Sequence, residues 1–323
     1  MKLSIVTTLY YSAPYVKEFY QRICNVADAI TGDYEIVFVN DGSPDEAVEI
    51  AIALYKEDER VRVVDLSRNF GHHKAMMTGL MYAQGDLIFL IDVDLEEPPE
   101  LLITFYKEFR HNDVDVVYGV QSARHGSWFN RISGSLFYHL FNWLSDHPVP
   151  PSLLTARLMS QRYVKQLIKH KEHLFNIEGL WEITGFKQIP VTVNKEPYKG
   201  TTTYNFSRKL IYAINAITAF SNKPLRGIAY LGLLIIIPSS LYTIYLIIGY
   251  FLFNINVYGW TALLVSLWFI AGLIIFILGI IATYISVILT EIKNRPYTIV
   301  RQFYHHDNYP LYSQAKLDKK SYD

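Results

Sequence analysis

The chain has 323 residues, 51% of them hydrophobic, and its 30 basic and 30 acidic residues give a formal net charge of zero. None of these charges falls within residues 227–290, and the rest of the chain has the charge density of an ordinary soluble domain. This distribution excludes a simple soluble protein and also a polytopic transporter, which needs many more spans. The neutral balance gives no support to a nucleic-acid partner.

The first 120 residues alternate strand-like apolar runs with stretches of helical length. The strand-like runs are 3–9, 35–39, 61–66, 87–91 and 114–118, and the helix-like stretches are 14–30, 45–55, 72–83 and 99–111. This alternation predicts an α/β fold with a mostly parallel sheet and helices on both faces. Ligands bind beyond the carboxyl ends of such strands, so the loops after the first four runs are predicted to form the site.

The amino terminus enters the first strand directly, so no secretory signal is expected. The single cysteine, Cys24, excludes an intramolecular disulfide and a cysteine metal cluster. A buried thiol in a reducing compartment is the favoured interpretation, and a reactive thiol is the alternative.

Two of the strand ends carry polar or glycine-rich sequence without clustered acids. Asp41 can accept a hydrogen bond from a nucleobase, whereas the alternative for this loop is a turn with Ser43 as a helix N-cap. Residues 67–74, which include Arg68, Gly71 and Lys74, offer donors suited to an anion. His72 and His73 are not expected to bind one metal, because adjacent residues on a helix do not face each other.

The most informative loop is the acidic one that follows residues 87–91. Asp92 and Asp94 come directly after an apolar strand, and their hard oxygen ligands suit Mg²⁺ or Mn²⁺ that also bridges to substrate phosphates. An acidic turn is the commoner use of this pattern, and the strand-end position is what favours a metal site. Glu96, Glu97 and Glu100 are expected in the first turn of the next helix, where negative charge suits the dipole.

The second half of the chain indicates a membrane. Residues 207–222 have near-helical apolar spacing behind Arg208 and Lys209, which predicts an amphipathic helix on the membrane surface or, alternatively, a core helix. The uncharged run divides into spans of about 227–253 and 260–289, each long enough to cross a bilayer as part of a helical hairpin. Basic residues flank the hairpin and are missing from its turn, so both flanks are predicted to be cytoplasmic.

The order of these motifs resembles the family-2 glycosyltransferases of GT-A fold. That order is Asn-Asp-Gly-Ser, Ser-Arg-Asn-Phe-Gly, then Asp-Val-Asp-Leu-x-x-Pro-Pro-Glu, followed by Gly-Thr-Thr-Thr-Tyr at 200–204, two spans and Glu-Ile-Lys-Asn-Arg-Pro at 291–296. The chain is similar, more narrowly, to the polyprenyl-phosphate glycosyltransferase branch, which includes bacterial GtrB-type enzymes and dolichol-phosphate mannose synthase. The resemblance covers about residues 3–300.

The resemblance implies an inverting transfer from a cytoplasmic nucleotide-sugar donor to a polyprenyl (undecaprenyl) phosphate, with Mg²⁺ or Mn²⁺ held by Asp94 and Asp92. It implies a multi-pass protein of the inner membrane bilayer and a homo-oligomer such as a tetramer. Asp41 would face the base, and Arg157 with the loop at Lys199–Tyr204 would lie near the acceptor or the diphosphate. The residues expected at the donor are Thr8, Tyr10, Asp41, Arg68, Gly71, Lys74 and Asp92. The candidate catalytic residues are Asp94, Arg157 and Glu178.

The same resemblance divides the chain into four regions. Residues 1–204 would form the catalytic domain, 205–226 the amphipathic helix, 227–290 the two transmembrane helices, and 291–323 a cytoplasmic C-terminal segment and tail.

Four departures from the family pattern bear on the acceptor. Ser12, Thr155, Glu178 and Thr203 stand where relatives usually carry an acid, an aspartate, an arginine and a lysine. A polyprenyl phosphate is already anionic and needs no base, so the loss of a carboxylate at Thr155 is tolerable.

Two alternatives follow from these departures. A sugar hydroxyl on a lipid-linked oligosaccharide would require a base, for which Glu178 and Asp146 are the candidates. Glu178 as a solvated loop charge stays equally open. A catalytically reduced membrane partner is the remaining alternative, and the presence of both Asp92 and Asp94 argues against it.

Overall fold

The computed structural model describes residues 1–121, 153–172, 177–193 and 259–306, with isolated helical positions between 223 and 248. The strands are β1 Leu3–Leu9, β2 Tyr34–Asn40, β3 Val61–Leu66, β4 Leu87–Leu90, β5 Val116–Gln121, β6 Leu153–Ser160, β7 Gln188–Val193 and β8 Val300–Tyr304. The helices are α1 Ala13–Asp28, α2 Ala47–Glu57, α3 His72–Tyr82, α4 Leu101–His111, α5 Gln161–Leu167, α6 Ile177–Ile183 and α7 Trp260–Ile292.

All eight described strands form one sheet, in the order β7-β5-β6-β4-β1-β2-β3-β8. Strand β1 pairs in parallel with β2 and β4, and β2 pairs in parallel with β3. Strand β6 runs antiparallel to β4 and β5, and β8 runs antiparallel to β3. The predicted α/β class is confirmed, but the sheet is mixed, because β6 and β8 run against the strands that the alternating pattern predicts.

The core lies on both faces of the sheet, as the continuous apolar strands predict. Every residue of β1 and β2 is buried. On one face Phe19 of α1 and Phe105 of α4 pack against the sheet, and on the other face Met77 of α3 does so. Cys24 is half-buried on α1, and burial raises the pKa of its thiol.

Helix α7 agrees with the second predicted span. Residues Ile270–Ile292 have a mean hydropathy of 2.7, and in the part of the chain that the structure describes this is the one helix long and apolar enough to cross a membrane. Apart from isolated positions, the first predicted span and the amphipathic segment lie outside the described residues. The hairpin therefore stays a prediction.

Candidate active site

The carboxyl ends of β1, β2 and β4 and the loop after β3 open onto one cleft of about 510 Å³. Parallel register explains this, because Leu9 of β1 lies level with Asn40 of β2, and β4 pairs with β1 on its other side. The predicted site residues that line the cleft are Thr8, Tyr10, Asp41, Gly71, Asp92 and Asp94. Four loops that are distant in sequence thus converge, as the alternation of strands and helices predicts.

His72, at the start of α3, connects two of these loops. Its Nδ1 lies 3.1 Å from Thr8 Oγ1, and its Nε2 lies 3.2 Å from Asp92 Oδ1. Burial disfavours the charged ring, but the carboxylates of Asp92, Asp41 and Asp94 outweigh it and raise the pKa of His72. The sequence suggested His72 only as a metal ligand or an anion donor. Its position directly after the glycine loop is the sequence feature that could have indicated its place in the cleft.

Asp92 and Asp94 lie in an irregular segment beyond the end of β4. Asp94 Oδ1 accepts a hydrogen bond from the Glu96 backbone N–H at 3.0 Å, and Leu95 has a left-handed φ of 63°. Among the residues described, no three His, Cys, Asp or Glu side chains converge as a metal site. Two carboxylates in an open cleft fit Mg²⁺ or Mn²⁺, which usually take their other ligands from water and substrate phosphates.

Asp41 organises the loop that follows β3. Its side chain is buried, and its two oxygens accept the backbone N–H groups of Phe70 at 2.7 Å and Gly71 at 3.0 Å. Burial raises the pKa of Asp41, and the two backbone donors act in the opposite direction. Gly42 has a φ of +62° and passes so close to this loop that an added Cβ would lie 2.5 Å from Asn69 N.

The alternative for Ser43 was wrong. Helix α2 begins at Ala47 with Glu46 as its N-cap residue, so Ser43 lies before the helix. The Ser43 hydroxyl instead accepts a hydrogen bond from the Tyr11 backbone N–H at 2.8 Å and donates one to Asp45. Ser43 therefore joins the loops after β1 and β2.

The acidic loop also contacts β6 through a residue that sequence reasoning placed elsewhere. Glu97 is buried, and its carboxylate accepts the backbone N–H groups of Thr155 at 3.2 Å and Ala156 at 2.6 Å. The expectation that Glu96, Glu97 and Glu100 form the first helical turn was wrong, because α4 begins only at Leu101. Pro98 and Pro99 precede the helix, and Glu97 reaches β6 from this irregular segment.

Removal of this carboxylate should destabilise the fold. Glu97→Ala leaves two backbone donors without their acceptor, at a cost of roughly 2–3 kcal/mol, which corresponds to a decrease in Tm of about 5–10 °C. The measurement is a thermal melt of the purified full-length protein in detergent. Glu18→Ala, at an exposed glutamate of α1, is the control, and an equal Tm for both variants would show that Glu97 does not hold β6.

Arg157 lies in a second cavity, of about 310 Å³, on the other side of β4. Its side chain is only 1% exposed, and its Cζ lies 3.0 Å from the centroid of the Trp181 ring and 5.8 Å from that of Tyr118. Nε and Nη1 have no hydrogen-bond partner among the described residues. Burial lowers the pKa of Arg157 to about 10, so the guanidinium remains charged at neutral pH.

Glu178 lines the same cavity as Arg157. It lies in the first turn of α6, so it is not a loop charge, and one of its carboxylate oxygens is buried. Burial raises the pKa of Glu178, while the charges of Arg157 and His72 oppose this effect.

Arg68 and Lys74 do not line the cleft. Arg68 is exposed, with its guanidinium 4.1 Å from the centroid of the Phe70 ring. Lys74 is half-buried, with its Nζ 5.6 Å from the centroid of Tyr297, in the segment after α7. Burial lowers the pKa of Lys74, and the nearby Arg68 acts in the same direction. Asp146 and residues 199–204 lie outside the described part of the chain.

Comparison with known proteins gives the class of protein. The family model described as glycosyl transferase family 2 matches residues 4–175. A putative glycosyltransferase of Mycobacterium tuberculosis is 50% identical over 95% of this chain and 90% of its own length. The SfII prophage-derived bactoprenol glucosyl transferase of Shigella flexneri is 31% identical over 94% of this chain and 98% of its own.

Among solved structures, the glucosyl-3-phosphoglycerate synthase of Mycobacterium tuberculosis with Mn²⁺, UDP-glucose and phosphoglyceric acid has a TM-score of 0.46. That match is 15% identical and covers 67% of this chain and 77% of the other. The family match and the two relatives confirm the resemblance drawn from the motifs. The chain belongs to glycosyl transferase family 2 and is a glycosyltransferase.

Proposed function

We propose that this protein is a membrane-anchored, inverting glycosyltransferase that moves a sugar from a nucleotide-diphosphate sugar to undecaprenyl phosphate at the cytoplasmic membrane face. The observation that carries the proposal is the cleft in which Asp92 and Asp94 meet Thr8, Asp41 and His72. Its volume of about 510 Å³ suits a small-molecule ligand. The relatives named bactoprenol glucosyl transferases support the polyprenyl acceptor.

The cleft residues would have different roles in binding the donor. Tyr10 is half-exposed at the cleft and offers a ring face to a nucleobase. Asp41 holds the glycine loop in place through the Phe70 and Gly71 amides. Asp94 and Asp92 would hold Mg²⁺ or Mn²⁺, which supplies charge neutralisation at the leaving diphosphate.

Thr155 and Arg157 favour a phosphate acceptor. The Thr155 side chain has no carboxylate that could accept a proton from the acceptor, and its backbone N–H donates to Glu97. A phosphate oxygen carries its own negative charge at neutral pH, so it can attack without a base. The buried Arg157 guanidinium supplies a cation whose Nε and Nη1 donors have no partner among the described residues, and a guanidinium suits a phosphate ligand.

The test is a transfer assay with the full-length protein, undecaprenyl phosphate, Mn²⁺ or Mg²⁺, and a panel of labelled UDP- and GDP-sugars. We expect one donor to give a labelled lipid only when both the lipid phosphate and the divalent metal are present, and chelation by EDTA to abolish the product. The absence of labelled lipid from every donor in the panel would reject the proposal.

One observation favours a second acceptor, the hydroxyl of a lipid-linked oligosaccharide. Glu178 lies beside Arg157 with a raised pKa, which suits a general base. Under this alternative Glu178→Gln abolishes turnover while nucleotide binding survives. Under transfer to undecaprenyl phosphate, the same variant keeps its turnover within about tenfold of the unaltered enzyme, since no proton needs to be removed.

The proposed topology has both flanks of a two-helix hairpin in the cytoplasm, and the active protein would be a homo-oligomer such as a tetramer. The single cysteine makes the topology easy to test in a Cys24→Ala background. A membrane-impermeant thiol reagent should label Asn256→Cys, in the predicted external turn, on intact cells. It should label Glu18→Cys only after the cells are opened, and the reverse pattern would overturn the orientation.

Asp41→Asn should weaken binding of the donor nucleotide. Phe70 and Gly71 donate to different oxygens of Asp41, and the substitution turns one of these oxygens into an NH2 donor, so we expect the Kd of UDP or GDP to rise about tenfold, or roughly 1.4 kcal/mol. Isothermal titration in the presence of Mn²⁺ measures this change. Asp33→Asn, in the exposed turn before β2, is the control, and equal affinity in the two variants would contradict the role of Asp41.

A further inference from the structure

Strand β8 belongs to the sheet although it follows α7 in the chain. It pairs antiparallel with β3 from Val63↔Tyr304 to Leu66↔Val300, and Ser67 N donates to Ile299 O at 2.9 Å. The register shifts between Asp65 and Leu66, so Arg301 is the additional residue on the β8 side. Such an irregularity redirects a side chain, and here it places Arg301 against Asp65.

The contact between Arg301 and Asp65 is a bidentate ion pair. Arg301 Nε lies 2.7 Å from Asp65 Oδ2, and Nη2 lies 3.0 Å from Oδ1. The arginine side chain is 59% exposed, whereas that of the aspartate is only 6% exposed. The aspartate is thus a nearly buried charge whose partner comes from a strand more than 230 residues later.

Asp65 connects this pair to the donor cleft. Asn40 Nδ2 donates to Asp65 Oδ1 at 2.7 Å, and Asn40 Oδ1 accepts the Ser43 backbone N–H at 3.0 Å. Asn40 and Asp65 are both buried, and Asn40 directly precedes Asp41. Ser43 in turn holds the Tyr11 amide at 2.8 Å. The chain of contacts therefore runs from β8 to the two loops that carry Tyr10 and Asp41.

We propose that Arg301 is a positioning residue of the donor site, which acts through Asp65 and Asn40 to fix the loop at residues 41–43. The role in donor binding rests on the proposed function, whereas the fixing of the loop does not. If Arg301 is removed, Asp65 must take a new partner or draw in water. Asn40 donates to Asp65 and accepts from Ser43, so a shift of the Asp65 carboxylate would move Asn40 and weaken its contact with Ser43.

The test compares Arg301→Gln with Arg162→Gln in the full-length protein. Arg162 is the matched control, since its side chain is 70% exposed and pairs with the 5%-exposed Asp115, which directly precedes β5 and is separated from β8 by most of the sheet. Hydrogen exchange measured by mass spectrometry should be about tenfold faster for peptides covering residues 40–46 in Arg301→Gln and unchanged there in Arg162→Gln. Arg301→Lys should restore part of the protection.

Donor binding is the second measurement. In Arg301→Gln the Kd of UDP or GDP with Mn²⁺ and the KM of the donor sugar should rise about five- to tenfold, with kcat within about twofold, because the reacting groups are untouched. Loss of thermal stability without these changes would indicate a merely structural role. If Arg301→Gln fails to fold, Asp65→Asn, which keeps an acceptor for Asn40 but weakens the ion pair, should change exchange and KM in the same direction.

The outcomes separate the two proposals. Equal exchange and equal nucleotide affinity in Arg301→Gln and Arg162→Gln would overturn the role of Arg301. If the unaltered protein binds neither UDP nor GDP but the exchange difference is present, the loop is fixed by Arg301 and the proposed function fails instead.

Discussion

Asp94→Asn is expected to lower kcat/KM for sugar transfer at least about 10³-fold, which corresponds to roughly 4 kcal/mol of transition-state stabilisation. The asparagine keeps the shape of the side chain and an acceptor for the Glu96 amide, but it loses the negative charge that would hold the divalent cation. The measurement is the initial rate of labelled lipid formation at saturating Mn²⁺. Tm should change by only about 2 °C or less.

The matched control is Glu100→Gln, the same loss of charge a few residues along the chain. Glu100 pairs with Arg22 of α1 at 2.7 Å on the exposed surface, away from the cleft. The transfer rate of Glu100→Gln should therefore stay within about twofold of that of the unaltered enzyme. The transfer rate of Asp92→Asn should lie between those of the two variants, because Asp92 also contacts His72. A rate for Asp94→Asn equal to that of Glu100→Gln would remove the acidic loop from the mechanism.

Arg157→Met should separate activity from stability. The substitution replaces a fully buried guanidinium, with two nitrogens lacking partners among the described residues, by an apolar chain of similar length. Because the substitution removes the free-energy cost of burying a charge, Tm should stay at its original value or rise by a few degrees. Transfer to undecaprenyl phosphate should fall about 100-fold or more, because the cation for the phosphate is lost.

Arg157→Lys tests whether charge alone is sufficient. Lysine keeps the cation but loses the planar group stacked on Trp181, so we expect an intermediate rate and a lower Tm. A large decrease in Tm for Arg157→Met would contradict the interpretation, since it would mean that Arg157 holds the fold together. Full activity of Arg157→Met would instead place the acceptor phosphate elsewhere.

The sequence predicted the regular part of the molecule well. The first four strands and the four helices from α1 to α4 lie within a few residues of their predicted bounds, because each strand is a continuous apolar run and each helix a separate periodic stretch. The convergence of Thr8, Asp41, Asp92 and Asp94 follows from the same pattern, since parallel strands bring their carboxyl ends to one edge.

The contacts that sequence reasoning missed depend on long-range pairing. Glu97 contacts β6 and Arg301 contacts β3, and in both cases the partners are too far apart in the sequence for a local pattern to predict the contact. His72 could be seen as a possible donor, but its position between Thr8 and Asp92 depends on the exact start of α3. The direction of β6 and β8 likewise appears only in their pairing with β4 and β3, which are distant from them in the sequence.

The place of β8 in the sheet has a consequence for biosynthesis. The ribosome makes β8 only after α7, so the outer edge of β3 stays unpaired until the last apolar helix has been synthesised. An unpaired edge is a template for association with other chains, and contacts this distant in sequence form slowly. A soluble fragment that ends before α7 would carry this open edge permanently. Expression of the part of the chain that precedes α7 should therefore yield aggregation-prone protein unless residues 297–306 are joined back to it.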